Sequence, residues 1–194
     1  MLGEGHEIIT FVPERLIASK GVATGPRPVK IYAAPDLLAR AWNLDWSDAI
    51  VTLRSAANLY VIGRGLGLGV AQEAALKLKE TCGLHAEAFS AAELRHGPMA
   101  LVGAGFPVLA FAQHDETHAG LLYVAAELAG MGATVMLAGG ESAGAISLPC
   151  DRADPALEPI LQVQSFYRLV NSLALARDRN PDHPPHLHKV TATL

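Results

Sequence analysis

The stretch NLYVIGRGLGLGVAQEAALKLKE, residues 58–80, joins an apolar run to a glycine-rich turn and then to a charged helical pattern. The apolar run at 58–63 predicts a short strand buried on both faces. The residues from about Leu66 to Thr81 predict a helix that returns along the sheet. A strand, a tight turn and a helix in this order are typical of a parallel α/β sheet.

The same alternation continues through the rest of the chain. Apolar runs at 106–112, 133–138 and 145–149 predict further strands, and helical periodicity marks 37–46, the stripe Leu121–Ala129 and a last helix from Pro155. We therefore expect a flavodoxin-like α/β fold, a three-layer sandwich around a parallel sheet of four or five strands, with its site at the strands' C-terminal ends. Residues 1–35 are rich in proline and stay unassigned, so the domain is placed at 36–194.

Composition limits the classes of function. The chain has 194 residues, 51% of them apolar and 18% charged, with a formal net charge of −4. One domain with a small-molecule partner is expected, and neither nucleic acid nor membrane is expected as a partner. The longest apolar stretch, 99–112, is too short to span a bilayer, and the N-terminus lacks the basic and apolar regions of a secretory signal. Two cysteines fit a reduced compartment, so the cytoplasm is the expected location.

The glycine turn does not match the known phosphate-binding fingerprints. A dinucleotide fingerprint needs glycine at i, i+2 and i+5, and the last place is Leu68 or Val70 in the two possible frames. A P-loop needs lysine followed by Ser or Thr, which is absent after these glycines. The glycines are therefore interpreted as residues that permit a sharp turn and close packing of helix on sheet.

Three charged residues share one face of the predicted helix. Glu73, Lys77 and Glu80 are spaced i, i+4 and i+7. A solvated stripe of ion pairs would give this spacing, and so would a functional cluster. Glu80 lies near the negative end of the helix, where an ordinary surface would favour lysine, and this placement favours the functional interpretation.

The segment SAAELRHGP, 90–98, predicts a second feature. Ser90 and Glu93 have capping-box spacing, and Gly97 fits a left-handed stop, so a helix of barely two turns is expected. It would hold His96 at its negative end, as a proton donor and acceptor or as a surface residue that aids the cap.

Together these segments carry a resemblance. The run from GRG through ALKLKE to HAEAFSAAELRHGP, with HLHKVT in the tail, resembles the SIS (sugar isomerase) family. It is similar to the second SIS subdomain of glutamine–fructose-6-phosphate aminotransferases, and equally to glutaminase-less SIS proteins that act on amino-sugar phosphates, including glucosamine-6-phosphate deaminases. The resemblance covers about residues 36–194.

The resemblance implies roles for individual residues. The family's glutamate that moves the proton between C2 and C1 of the open sugar corresponds to Glu80. The family's lysine close to the substrate corresponds to Lys77. The histidine that assists ring opening, and that can reach a neighbouring subunit's site, corresponds to His96. The tail lysine that closes over the sugar corresponds to Lys189. The remaining candidates are assigned to substrate binding: Gly63, Arg64, Gly65 and His85. His85 is placed in the loop after Glu80, where it either lines the site or packs as a hydrogen-bonded histidine.

The resemblance also implies partners and limits. It implies a sugar-phosphate ligand without a metal or organic cofactor, and a homodimer or pairing with another SIS subdomain. The subdomain whose Ser/Thr-rich loop grips the phosphate is not found in this sequence, and neither is a glutaminase domain, so weak activity alone and no glutamine hydrolysis are expected. Pro185 stands where the family commonly has arginine, and Ala192 where a basic residue is common. Alternatives left open are a non-catalytic sugar-phosphate-binding module, a dimerisation module, and a truncated fragment.

Two histidine patterns resemble metal sites only superficially. His183, His186 and His188 fall within six residues, but no Cys or carboxylate motif accompanies them. The segment HDETH, 114–118, has Asp115 where a zinc-protease motif needs Glu. It is interpreted as a loop leading to a helix that Asp115 or Thr117 caps, and no metal site is expected.

Overall fold

A five-stranded parallel sheet forms the centre of the structure. The computed structural model describes residues 34–185. The strands are β1 (Asn58–Gly63), β2 (His85–Ser90), β3 (Pro107–Phe111), β4 (Thr134–Ala138) and β5 (Ile146–Leu148). Their order is β2-β1-β3-β4-β5, and every neighbouring pair is parallel. This is the strand order of flavodoxin-like doubly wound sheets, so the predicted fold class is confirmed.

Helices cover both faces of the sheet. They are α1 (Ala34–Trp42), α2 (Ser47–Leu53), α3 (Gly67–Cys82), α4 (His118–Gly130) and α5 (Glu158–Ala176). One core layer joins α3 and α5 to the sheet, and the other joins α4 to it. In residues 34–185 no helix is both long enough and apolar enough to cross a bilayer.

Strand β3 shows why the apolar runs predicted strands. All five of its residues are buried. Leu109 and Phe111 belong to the core on the α3 and α5 side, whereas Val108 and Ala110 belong to the core on the α4 side. Successive side chains of a strand point to opposite faces, so a strand in the middle of a three-layer sandwich must be apolar at every position.

The glycines of the turn between β1 and α3 are required by packing. A Cβ on Gly63 would overlap the carbonyl oxygen of Gly67, and Gly65 has a φ of +56°. A Cβ on Gly67 would lie 2.5 Å from Oε1 of Gln113, whereas one on Gly69 would meet nothing within 4 Å. Three of the four glycines thus have a structural reason in the sharp turn and the close approach of helix to sheet.

Several local predictions were wrong. The predicted helix at 90–98 does not form, because Ser90 is the last residue of β2 and pairs with Gly63 of β1. A 3-10 turn, Leu94–His96, stands in its place, and Gly97 has a φ of 149° and a ψ of −55° rather than left-handed helical angles. Strand β2 and helix α2 were not anticipated, and α5 begins at Glu158 instead of Pro155.

Candidate active site

An ammonium–carboxylate pair lies on the outer face of α3. Nζ of Lys77 donates a hydrogen bond of 2.8 Å to Oε2 of Glu80, one turn further along the helix. The side chains are 33% and 24% exposed, respectively. Residues three apart on a helix lie one above the other, so the spacing alone brings the two groups together. The pair is accessible from solvent and formed without any contribution from a loop.

Two further groups extend the pair towards α5. Oε1 of Glu73 lies 3.9 Å from Nζ of Lys77 and accepts a hydrogen bond of 3.0 Å from the hydroxyl of Tyr167. The hydrogen bond to Glu80 raises the pKa of Lys77, and the charge of Glu73 acts in the same direction. Burial raises the pKa of the Tyr167 hydroxyl, and Glu73 adds to that shift. Lys77 therefore remains an ammonium group between two carboxylates.

Tyr167 was not among the candidates from sequence. It follows Phe166, a fully buried residue of the α5 stripe, and it is itself exposed. A polar aromatic residue at the margin of a buried stripe is a weak signal, because many such tyrosines only border a core. Its contact with Glu73 depends on how α5 packs against α3, which the sequence pattern does not specify.

The pair lies at the edge of the sheet where the strands begin, not where they end. Helix α3 follows the C-terminal end of β1 and leads back to His85, the first residue of β2. Glu80 is two residues from the end of α3 and thus lies near the N-terminal edge of the sheet. The expectation of a site at the C-terminal edge was therefore wrong for Lys77 and Glu80.

The glycine turn and the charged pair are separated by the length of the helix. Gly63 ends β1 and Arg64 and Gly65 follow it, all at the C-terminal edge of the sheet. Glu80 follows Gly67, the first residue of α3, by thirteen positions, which is about 20 Å at about 1.5 Å per residue. Within one chain these three candidate substrate-binding residues do not meet Lys77 and Glu80.

His96 also lies away from Glu80. It is exposed and follows the C-terminal end of β2, whereas Glu80 precedes the start of that strand. A strand of six residues spans nearly 20 Å, so the imidazole and the carboxylate of one chain stay at opposite edges. The structure does not bring the predicted acid and base together within residues 34–185.

His85 lies at the same edge as Glu80. It is the exposed first residue of β2, in register with Asn58, rather than part of a loop as expected. Between them, Gly83 ends α3 in a left-handed conformation with a φ of 55°. Lys189, the fourth catalytic candidate, lies outside the described residues, as do His186 and His188 of the histidine-rich tail.

The opposite edge contains a polar network that the sequence did not reveal. The amide Nε2 of Gln113 donates to the carbonyl of Arg64 at 2.6 Å and to Oδ2 of Asp115 at 2.9 Å. Oδ1 of Asp115 accepts from the backbone N–H of Thr117 at 2.8 Å, just before α4 begins. These bonds tie the loop after β3 to the glycine turn, and the HDETH segment forms the predicted loop before α4. The predicted cap does not form, because Thr117 is the N-cap residue and makes no side-chain capping bond.

A buried carboxylate completes that network. Glu158, 2% exposed at the start of α5, accepts from the backbone N–H of His114 at 2.6 Å, and its Oε2 lies 2.9 Å from Nδ1 of His114. Helix N-termini favour a negative charge, which suits this carboxylate. Among residues 34–185 no group of three His, Cys, Asp or Glu side chains could hold a metal ion.

The ends of three helices meet beside the charged pair. Nε of Arg177, which follows α5, donates to the carbonyl of Cys82 at 3.1 Å. Its Nη1 donates to the carbonyls of Leu53, the last residue of α2, and of Arg54 and Ala56 just after it, at 2.9 to 3.0 Å. A cation at helix C-termini satisfies carbonyls that have no partner within the helix. The C-terminal end of α5 is thereby fixed next to the turn of α3 that carries Glu80.

Comparisons with known proteins agree with this architecture. The SIS domain family model matches residues 52–151. A glutamine–fructose-6-phosphate aminotransferase (isomerizing) from Chlorobaculum tepidum is 32% identical over 198 residues, which is 94% of this chain and 32% of that enzyme. Since only 6% of the chain is left out, the alignment extends into residues 1–35. The chain spans only about a quarter to a third of the length of the curated relatives it matches.

Two solved structures are similar in both sequence and fold. A candidate phosphosugar isomerase from Silicibacter pomeroyi matches with a TM-score of 0.72 and 40% identity, over 77% of this chain and 46% of that one. The glucosamine-6-phosphate deaminase of Thermotoga maritima matches with a TM-score of 0.57 and 29% identity, over 80% of this chain and 46% of that one. The SIS family model covers more than half of the sequence, and the two solved structures share the fold of this chain. The chain belongs to the SIS domain family.

Proposed function

We propose that residues 36–194 supply the proton-transferring half of a phosphosugar isomerase or deaminase site. The observation that carries this proposal is the 2.8 Å contact between Lys77 and Glu80 on an accessible helix face. The names of the similar proteins support it, since they include a candidate phosphosugar isomerase and a glucosamine-6-phosphate deaminase. The substrate class is therefore an amino-sugar or ketose phosphate.

The chemistry of such a reaction matches the two side chains. Moving a carbonyl between C1 and C2 requires a base that removes the proton from the carbon beside the carbonyl and returns it to the neighbouring carbon. The Glu80 carboxylate performs both transfers. The Lys77 ammonium group, whose pKa is raised by its hydrogen bond to Glu80, stabilises the negative charge that develops on the sugar oxygen. Deamination begins with the same proton removal.

The site requires a second surface. Lys77 and Glu80 are partly exposed, and neither residue lines any of four depressions of about 160 to 420 Å³ on the surface of residues 34–185. A second SIS unit, in the same protein or in another copy, would close a cleft over this face. His96, exposed at the opposite edge of the sheet, would then serve the site of a neighbouring unit.

The tail is attached where it can complete the site. Arg177 joins the end of α5 to Cys82 at the end of α3. Pro185, the last described residue, lies beside Arg177, and Lys189 follows it by four positions in the sequence. The tail therefore starts at the edge of the sheet that carries Glu80, which supports its assignment as the lysine that closes over the sugar.

Hydrogen exchange in deuterated water tests the proposal directly. The chain is incubated with fructose-6-phosphate or glucosamine-6-phosphate, and exchange at C1 and C2 is followed by NMR. We expect exchange that Glu80→Gln abolishes and Glu87→Gln, a change at an exposed carboxylate of β2, leaves intact. Binding without exchange would reject catalysis in favour of a sugar-phosphate sensor. If the chain shows neither binding nor exchange, the remaining alternative is a dimerisation module.

A further inference from the structure

A cationic depression lies beside the turn that ends α3. Its volume is about 420 Å³, and its lining comes from the ends of α2 and α5: Val51, Arg54, Ser55, Ala176, Arg177, Asp178 and Arg179. A second depression of about 320 Å³ shares Arg177 and Arg179 and adds His183. Three arginines and one aspartate give the first depression a net positive charge, although the whole chain has a net charge of −4.

Backbone carbonyls, not carboxylates, are the hydrogen-bond partners of Arg54 and Arg177. Arg54 donates from Nε to the carbonyl of Ala176 at 3.1 Å, and Arg177 donates to four carbonyls. The guanidinium of Arg179 lies directly against Gly83. Within the described part of the chain, none of the three forms an ion pair with an acidic side chain. Carbonyl partners fix the geometry of a guanidinium group without neutralising its charge.

Arg54 and Arg177 still have N–H groups that could bind a ligand. In residues 34–185 Arg54 uses only Nε, and Arg177 uses Nε and Nη1 but not Nη2. A guanidinium presents two parallel N–H groups that match two oxygens of a phosphate, and such charge-assisted bonds are stronger than neutral ones. The volume of the depression lies within the range of about 300–1,000 Å³ that is typical of small-molecule sites.

We propose that this depression binds the phosphate group of a phosphorylated metabolite, with Arg54 and Arg179 as the principal ligands and Arg177 as the fixed floor. The three guanidinium groups share this depression with only one carboxylate, that of Asp178, and a bound dianion would reduce their mutual repulsion. Two sources can supply the same chemistry. One is the phosphate of the sugar whose other end reaches Glu80, and the other is a separate phosphorylated effector.

Calorimetric titration with inorganic phosphate at constant ionic strength tests the site. We expect saturable binding that weakens at least tenfold in the double variant Arg54→Gln/Arg179→Gln. Arg168→Gln is the matched control, because Arg168 is also an exposed arginine that donates to a helix-end carbonyl, that of Trp42. It should bind phosphate like the unaltered chain. Equal affinity in the double variant, or no saturable binding by the unaltered chain, would overturn the proposal.

A single variant and a second ligand separate the phosphate site from folding defects and from the proposed function. Arg177 is left unaltered because it holds four carbonyls, and Arg179→Gln alone, which removes no hydrogen bond among the described residues, should already weaken binding several-fold. If the sugar is the source, the double variant also loses affinity for glucosamine-6-phosphate. If an effector is the source, that affinity is unchanged and phosphate binds together with the sugar. If the chain shows no hydrogen exchange at C1 and C2, the catalytic proposal fails, but phosphate should still bind to the depression.

Discussion

Nε of Arg177 lies 3.1 Å from the carbonyl oxygen of Cys82, and this bond joins the first residue after α5 to the last residue of α3. The same guanidinium holds three carbonyls at the end of α2. One side chain thus fixes the relative positions of three helix ends, including the turn that carries Glu80.

Removing that guanidinium should destabilise the chain. We expect Arg177→Met, which keeps the apolar stem, to lower the free energy of unfolding by about 2–4 kcal/mol, because several charged hydrogen bonds to partly buried carbonyls are lost together. Urea denaturation, monitored by circular dichroism, measures the change. Arg168→Met, which loses one exposed bond to Trp42, should cost less than about 1 kcal/mol. Equal losses in the two variants would contradict the role given to Arg177.

Asp178 is the one non-glycine residue with a positive φ, 56°, in residues 34–185. It follows the end of α5 and the position favours glycine, because a Cβ is strained in the left-handed region. Asp178→Gly should raise the free energy of unfolding by about 0.5–1 kcal/mol. Asp178→Ala should lower it, because alanine tolerates this conformation less well than aspartate. Thermal unfolding of the unaltered chain and the two variants gives their order of stability. An alanine variant as stable as the glycine variant would be inconsistent with backbone strain at this position.

Two glycines of one helix should respond oppositely to alanine. A Cβ on Gly67 would press against Oε1 of Gln113, so Gly67→Ala should destabilise by about 1–3 kcal/mol. Gly69 has open space around it, and Gly69→Ala should stabilise by up to about 1 kcal/mol through helix propensity. Chemical denaturation of both variants is the measurement. The same sign for both would show that close packing does not explain Gly67.

Lys77 and Lys79 provide a matched pair for the proposed chemistry. Lys77 contacts Glu80, and Lys79 on the same helix is exposed and outside the cluster. Lys77→Gln should slow exchange at C1 and C2 of the sugar phosphate by at least about tenfold, because the positive charge beside the developing oxyanion is lost. Lys79→Gln should leave the rate unchanged. Comparable effects from both lysines would indicate a general charge effect instead of a positioned ammonium group.

The two thiols should make stability decrease in alkaline solution. Burial raises the pKa of Cys150 to about 12 and also raises that of Cys82. Unfolded thiols lose their protons near pH 8.5, so above that pH the folded state binds more protons and the free energy of unfolding falls as pH rises. Urea titrations at pH 7.5 and 9.5 measure the difference. Cys150→Ala should reduce the pH dependence, and an unchanged slope in that variant would rule out this thiol as its source.

The central strands of the sheet were predicted correctly because they are buried on both faces. Strands β1, β3 and β4 are almost fully buried, and their apolar runs have no other reasonable explanation. Strand β2 was missed because it is at the edge of the sheet and reads HAEAFS, with exposed His85 and Glu87 and the poor strand former alanine. The helix predicted at 90–98 failed because pairing of Ser90 with β1 overrode a local capping pattern.

The candidate site was predictable within one helix and not beyond it. The spacing of Lys77 and Glu80 fixes their contact, since helix geometry is the same in every protein. The edge of the sheet on which they lie follows from the position of α3 between the parallel strands β1 and β2, and β2 was not predicted. The contact of Tyr167 with Glu73, and the meeting of Arg54, Arg177 and Arg179, depend on packing between elements that are far apart in sequence.

The meeting of the α3 and α5 ends has a practical consequence for biophysical work. A purification tag or a surface anchor fused directly after Pro185 would begin beside the depression that His183 and Pro185 line with Arg177. Immobilisation through that end would therefore crowd the edge of the sheet that carries Glu80. The loop after β4, where Glu141 is exposed at the other edge, is the better attachment point for biosensor measurements.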